Sequence, residues 1–243
     1  PPYTQWPELF PPLIKGFLEG VAATSARIIF GDNLYMYGPT GGVPIQETLP
    51  YAATGHKGLT RAKMAELFMN AHEKGDNEVT IGRTSDFYGP RVLNAVLGDM
   101  LFEPAFSGAA VNMLGKLDLP HTFSYIKDFA NGLVILGHQD QAFGDAWHTP
   151  CAPTISSRQM IEMIETELHQ SIKLRVAGKA LISILGLFNP MIREVKEMMY
   201  TWTEPYIVDH AKFEKAFGSV VTSHEEAIKE TVRWFKEFHN MGV

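Results

Sequence analysis

The stretch His56–Pro90, HKGLTRAKMAELFMNAHEKGDNEVTIGRTSDFYGP, decides the fold. Leu59, Ala62, Ala65, Glu66, Met69 and Asn70 recur at helical spacing. Gly75-Asp76-Asn77 then breaks the helix with residues that tolerate turn and left-handed geometry. Val79 and Ile81 suit a short strand covered on both faces. That strand runs out into Arg83-Thr84-Ser85-Asp86-Phe87-Tyr88-Gly89-Pro90, which places polar side chains at its carboxyl end. In open α/β sheets ligands sit at that edge.

Upstream, Pro1–Pro12 reads as an extended connector held by Tyr3, Trp6 and Phe10, and Leu13–Ala26 as a helix. Arg27–Phe30 is a short strand ending at Gly31-Asp32-Asn33, and the Gly- and Pro-rich segment Tyr37–His56 is an ordered loop near a site. Downstream, Arg91–Phe102 reads as a helix, Glu103–Leu119 as a mixed segment able to cover a ligand, and Thr122–Tyr125 as a strand. Ile126–Gly137 follows as a helix with Asp128 in its first turn, where negative charge suits the helix dipole. Gly144–His148 reads as a strand of a smaller lobe. Thr154–Ser157 offers caps for a helix through His169, Ile172–Val176 is a brief strand, and Ala177–Tyr200 holds one or two helices broken near Asn189-Pro190. Asp209 opens a short helix ending at Gly218, and Ser223 caps the last helix, with Glu225 and Glu226 early in it. Strands alternate with helices from Arg27 to His148, an order that predicts a parallel sheet covered by helices.

The chain has 243 residues, 45% hydrophobic and 20% charged, enough for a sizeable core. Its formal net charge is −6 and no Lys/Arg run is present, which argues against nucleic acid as a partner. The single cysteine, Cys151, permits no internal disulfide and fits a reducing, cytoplasmic setting. No apolar run approaches the roughly 18–20 residues that span a bilayer, so no membrane partner is expected. The nine histidines show no metal-binding spacing, and no metal is expected. The chain opens Pro-Pro-Tyr without a secretory pattern and without an initiator methionine, so it is expected not to begin where its gene does.

Together with FGDNLYMYGP at Phe30–Pro39, the deciding stretch resembles the NAD-dependent epimerase/dehydratase family, the extended short-chain dehydrogenases. Members of that family read roughly SSxxVYG, then YxxxK in a helix, then RxxxxYGP after the next strand. The tail DHAKFEKAFGSVVTSHEEAIKETVRWFKEF also looks like their closing pattern. The resemblance implies a Rossmann-like parallel sheet, the carboxyl-terminal part of a doubly wound domain, with a small α+β substrate lobe. Residues 1–150 would hold the partial nucleotide-binding domain, with part of the lobe inserted around 91–125, and 151–243 the lobe and closing helices. It implies NAD or NADP as cofactor and a sugar, sugar nucleotide or small polyol as substrate. It also implies a homodimer formed through helices 13–26 and 58–74.

Two departures stand out. A dinucleotide site needs a Gly-rich turn after a first strand, and this chain has none; by resemblance it starts after the fourth strand of the sheet. Either residues upstream of Pro1 or another chain would then cover the exposed strand edge. The catalytic triad also departs: Asn33 falls at the Ser/Thr position, Gly58 at the tyrosine and Ala62 at the lysine. Candidate substitutes are Asn33, Tyr35 and Lys57 for catalysis, with a Tyr35–Lys57 couple in place of the usual pair. Asp32, Arg83, Thr84 and Ser85 are candidates for holding cofactor, and Asp86, Trp147 and His148 for holding substrate. Asp86 falls where relatives often carry a substrate-binding asparagine. A non-catalytic dinucleotide-sensing or partner-binding module of the same fold is the alternative.

Overall fold

A computed structural model describes residues 2–178, Ile182, 190–219 and 221–240. The sheet that positions the site has three parallel strands, β1 (Ile28–Asp32), β2 (Val79–Arg83) and β7 (Ala146–His148), in the order β1-β2-β7. Phe30 lies opposite Ile81, and Ile81 opposite Ala146. The first crossover is α2 (His56–Glu73), which packs against α1 (Trp6–Ala22) on one face of the sheet. All five residues of β2 are buried, as a strand with helices on both faces requires. Phe68 of α2 stacks on Phe30 at 4.3 Å between ring centroids, and with Ile14, Leu18, Met64, Val79 and Ile81 it forms the core of this half. Each such side chain contributes about 1.5–3 kcal/mol on burial.

On the other face lies α4 (Ile126–His138), where glycine allows close approach. A Cβ at Gly132 would stand 2.8 Å from the Thr149 side chain, and one at Gly31 would stand 3.3 Å from the Phe129 ring. Among the described residues nothing pairs with the second edge of β1.

A second core gathers Tyr88, Leu101, Phe102, Val111, Phe123, Met160, Ile228 and Phe235. It is framed by two more parallel pairs, β3 (Asp86–Tyr88) with β6 (Phe123–Tyr125) and β4 (Val111–Leu114) with β9 (Leu174–Ala177). An antiparallel pair, β5 (Pro120–His121) with β8 (Ile155–Ser156), completes it. Helix α5 (Ser157–Leu168) opens on a capping box: the Ser156 hydroxyl accepts from Gln159 N, and the Gln159 side chain accepts from Ser156 N. The Ser223 hydroxyl likewise accepts from Glu226 N at the start of the His224–Asn240 helix.

Four expectations are corrected. The segment through Pro12 is not an extended connector: α1 begins at Trp6 and runs through Pro11 and Pro12. Proline there removes helix hydrogen bonds. The turn is held instead by Trp6 and Phe10, which pack on each other and receive the Arg61 guanidinium at 4.9 and 5.7 Å. The helix expected at Arg91–Phe102 forms later, as α3 (Asp99–Ser107), because Arg91 takes a left-handed φ of 67° that cannot start a helix. The strand ending in Trp147-His148 belongs to the main sheet rather than to a lobe. The loop 38–55 is ordered but lies off the cleft described below; it is pinned by an Ile45–Val208 bridge and by Glu47, which accepts from His148 N at 2.8 Å. Of the helices expected at Ala177–Tyr200, residues 179–181 and 183–189 lie outside the described residues; Pro190–Met198 and Tyr200–Thr203 are helical.

Candidate functional site

A cleft of about 770 Å³ opens at the carboxyl ends of β1 and β2. Its walls bring together Asp32, Asn33, Tyr35, Lys57, Thr84, Ser85 and Asp86, seven of the ten residues singled out from sequence. The segment Pro90–Val96, Leu114 and the Glu194–Trp202 side close it.

Asp32 ends β1 with its carboxylate buried. Oδ1 accepts from Asn33 N at 2.9 Å and from the Arg61 guanidinium at 3.1 Å, and Arg83 Nε stands 3.6 Å from Oδ2. Burial pushes the Asp32 carboxyl up, against the pull of the two guanidiniums. Asn33 Oδ1 accepts from Tyr35 N at 3.1 Å, an Asx turn that sets the short 3-10 helix Tyr35–Tyr37. Burial lifts the Tyr35 phenol well above its ordinary range, with the charge of Asp86 adding to it. Tyr35 therefore stays protonated and acts as a hydroxyl, not as a phenolate. Lys57, 2% exposed, gives its ammonium to Glu194: 2.9 Å to the carboxylate and 2.5 Å to the backbone oxygen. The cation felt by the Tyr35 phenol is Arg61, so the two members of the expected couple are turned to different partners.

Thr84 shares a buried cluster with Ser124, 2.5 Å between hydroxyls, and with Cys151 at 3.4 Å. Burial pushes the Cys151 thiol up, which leaves it an inert packing group. The Ser85 hydroxyl is buried at the cleft wall with no hydrogen-bond partner among the described residues. An orphaned buried hydroxyl costs about 1–3 kcal/mol, and a ligand that hydrogen-bonds it recovers that cost.

Arg83, Trp147 and His148 do not reach the cleft. The Arg83 guanidinium donates to Tyr37 and Tyr51 at 2.7 and 2.5 Å, behind the strand ends. Its affinity for its proton is raised although burial pulls the other way, because the two phenols and Asp32 favour the cation. Burial pushes Tyr37 up to about 12. Trp147 donates its indole N–H to Ala142 O and packs under the Lys212 ammonium, 4.1 Å above its ring. His148 gives Nδ1–H to Asp209 O and accepts at Nε2 from Tyr37; burial pushes it down to about 3, so it stays neutral. Both are buried packing groups: β7 closes the end of the three-stranded sheet beside β2, and Phe217 and Lys212 cover Trp147 while Tyr37 and Asp209 cover His148.

Sequence reasoning missed His121 and Arg91. The ring of His121 lies behind Asp86, with Nε2 at 2.9 Å from the carboxylate. The two residues are far apart in sequence, so no local spacing announces the pair. Arg91 is exposed, lines the cleft mouth and has no ion pair among the described residues. The one available signal was its position just after Tyr-Gly-Pro. Among the described residues no group of three or more His, Cys, Asp or Glu side chains is placed to hold a metal, and no helix is long and apolar enough to cross a membrane.

In comparisons with solved structures, the chain is similar to UDP-glucuronic acid 4-epimerase from Bacillus cereus in complex with NAD, at 16% identity and TM-score 0.74 over 93% of this chain and 67% of that one. It is also similar to dTDP-glucose 4,6-dehydratase from Bacillus anthracis in complex with NAD, at 15% identity and TM-score 0.73, again over 93% and 67%. A dTDP-glucose 4,6-dehydratase from Streptomyces venezuelae gives 15% identity and TM-score 0.77 over 97% and 69%. The chain thus spans about two thirds of the length of these structures, and at such identity they establish the Rossmann-like fold. No curated protein matches the sequence. The sequence profile of the NAD dependent epimerase/dehydratase family matches residues 18–147, more than half of the chain, and the protein belongs to that family.

Proposed function

We propose that the protein is an atypical NAD(P)-dependent member of the family, acting in the cytoplasm on a hydroxyl or carbonyl of a sugar, sugar nucleotide or small polyol. The observation that carries this is the cleft at the strand ends with the partnerless Ser85 hydroxyl in its wall. Ser85 and Thr84 fit the nicotinamide end of the cofactor, while Asp32 and Arg83 brace the strand ends from beneath. NAD(P), when bound, supplies the hydride acceptor or donor. Asn33, Tyr35 and Asp86 bind the substrate's hydroxyls, and the unpaired Arg91 suits an anionic group on it. Residues for the cofactor's diphosphate would join along the free edge of β1.

The packing at Gly58 supports a second reading, a dinucleotide-sensing module without turnover. A Cβ there would stand 2.6 Å from Tyr35 O and closer still to Ala53, so no catalytic side chain fits. Titration of the full-length protein with NAD and NADP, followed by turnover assays on sugar nucleotides, sugars and polyols, separates the two. Saturable binding with turnover is expected; binding without turnover supports the sensor, and absence of binding removes both.

A homodimer through α1 and α2 is part of the proposal. Leu9, Leu13 and Phe17 of α1 form one stripe, 45%, 60% and 49% exposed, and Leu59 of α2 is 52% exposed. Light scattering is expected to give twice the mass of one chain, and Phe17→Glu to halve it. A wild-type monomer at micromolar concentration would refute the interface.

A further inference from the structure

The hydrogen bonds around His121 determine where its protons are. Nδ1 lies 3.2 Å from Thr201 O, a carbonyl that can only accept, so Nδ1 carries a proton. Nε2 lies 2.9 Å from Asp86 Oδ2, a contact that needs a second proton, held by either partner. With a proton on Nδ1 and another between Nε2 and Oδ2, the pair is written as carboxylate with imidazolium or as carboxylic acid with imidazole. The ring cannot turn away. It stacks on Trp202 at 4.5 Å and 10°, and Phe123 and Tyr206 stand 4.6 and 5.4 Å off.

The two members differ in access. The His121 side chain is 4% exposed and that of Asp86 31%, so the carboxyl faces the cleft and the ring lies behind it. Asp86 Oδ1 has no partner among the described residues. Three phenols also sense the Asp86 charge: Tyr35, Tyr200 and Tyr206. All are held protonated, first by burial and then by neighbouring charges, Asp86 among them. None of the three competes as a base, and each is a standing hydrogen-bond donor.

We propose that Asp86 and His121 work as one proton-carrying couple, and that it is the acid–base group of the cleft in place of the side chains absent at Gly58 and Ala62. The role rests on the proposed reaction at a hydroxyl or carbonyl. As base, the Asp86 carboxylate takes the proton of a bound hydroxyl; the O–H electron pair stays on the ligand oxygen, and the imidazolium behind offsets the new negative charge. In the reverse direction the Asp86 carboxyl returns that proton to the same oxygen. The step moves one proton and no electrons between protein and ligand. Asp86 is the catalytic residue, and His121 is a positioning residue that acts through it.

The test has two independent arms. Proton NMR of the full-length protein is expected to show two low-field signals shielded from solvent exchange, one from His121 Nδ1–H and one from the proton between Nε2 and Asp86. Asp86→Asn should shift or abolish the Nε2 signal and leave the Nδ1 signal in place. A single His121 ring signal, unaltered by Asp86→Asn, overturns the couple whatever the activity. In turnover with NAD and UDP-glucuronic acid, Asp86→Asn is expected to lower kcat by about 100-fold or more with KM within a few-fold. His121→Gln should lower kcat about 10-fold, and Asp86→Glu should recover part of the Asn loss. Full kcat in Asp86→Asn overturns the assignment even if the NMR signals behave. If the wild type turns over none of the sugars, sugar nucleotides or polyols, the proposed reaction has failed, and the NMR arm alone then decides whether the couple exists.

Discussion

Writing the relatives' side chains back into α2, as Gly58→Tyr with Ala62→Lys, is expected to unfold the protein rather than to rebuild the triad. Gly58 faces the turn that carries Tyr35, and even a methyl there would overlap Tyr35 O and the Ala53 side chain. Backbone cannot step aside as a flexible side chain can. Gly58→Ala alone should cost about 2–3 kcal/mol, the upper part of the range for overpacking a filled site. At this chain length that corresponds to a drop in Tm of roughly 5–10 °C. The double variant should lose more and bind cofactor no better. A Gly58→Ala protein melting within a degree of wild type would show that the Tyr35 turn yields, and the argument that this site is closed to a tyrosine would fail.

The other large effect is expected at Arg83. Its guanidinium is 1% exposed and is shared by the Tyr37 and Tyr51 hydroxyls and by Asp32. Arg83→Met keeps the bulk and removes the charge, leaving the buried Asp32 with Arg61 as its remaining cation. Breaking a buried pair from one side costs about 3–5 kcal/mol. Arg83→Met should therefore shift the urea midpoint strongly, and adding Asp32→Asn should recover part of the loss, because no charge is then stranded. Arg83→Lys should recover less than Asp32→Asn does, since one ammonium on a thinner stem cannot meet both phenols in the guanidinium's geometry. A midpoint unchanged in Arg83→Met would mean that the cluster is not a stabilising unit.

How much of this was legible in the sequence follows the range of the forces involved. β1, β2, α4 and the caps at Ser156 and Ser223 rest on periodicity and turn chemistry within a few residues, and they could be read directly; α2 forms where expected, but it buries Met64, Ala65 and Phe68 while Leu59, Glu66 and Asn70 of the expected spacing are exposed. Seven candidate residues meet in the cleft because they lie at strand ends and at the start of α2. The prolines of α1 misled because distant aromatic and Arg61 contacts outweigh a local preference. Arg91 displaced a helix by adopting a backbone conformation that its residue type seldom takes. Trp147 and His148 looked available because nothing local reveals that β7 pairs with β2 and is covered by side chains from distant segments. His121 was invisible for the same reason: its meaning comes from Asp86, Thr201 and Trp202, each on a different segment.

The strand pairings carry a consequence for how the chain reaches this state. Phe30 meets Ile81, Ile81 meets Ala146, Asp86 meets Phe123 and Val111 meets Leu174, so no described sheet contains a hairpin between neighbouring strands. Each ladder must close a long loop before its first hydrogen bond forms, and chains of such high contact order fold slowly. Helices α2 and α4 can form early from local interactions, and they would serve as the clasps that bring remote strands into register. The cleft, set where those late-joining strands end, is then among the last parts of the molecule to take shape.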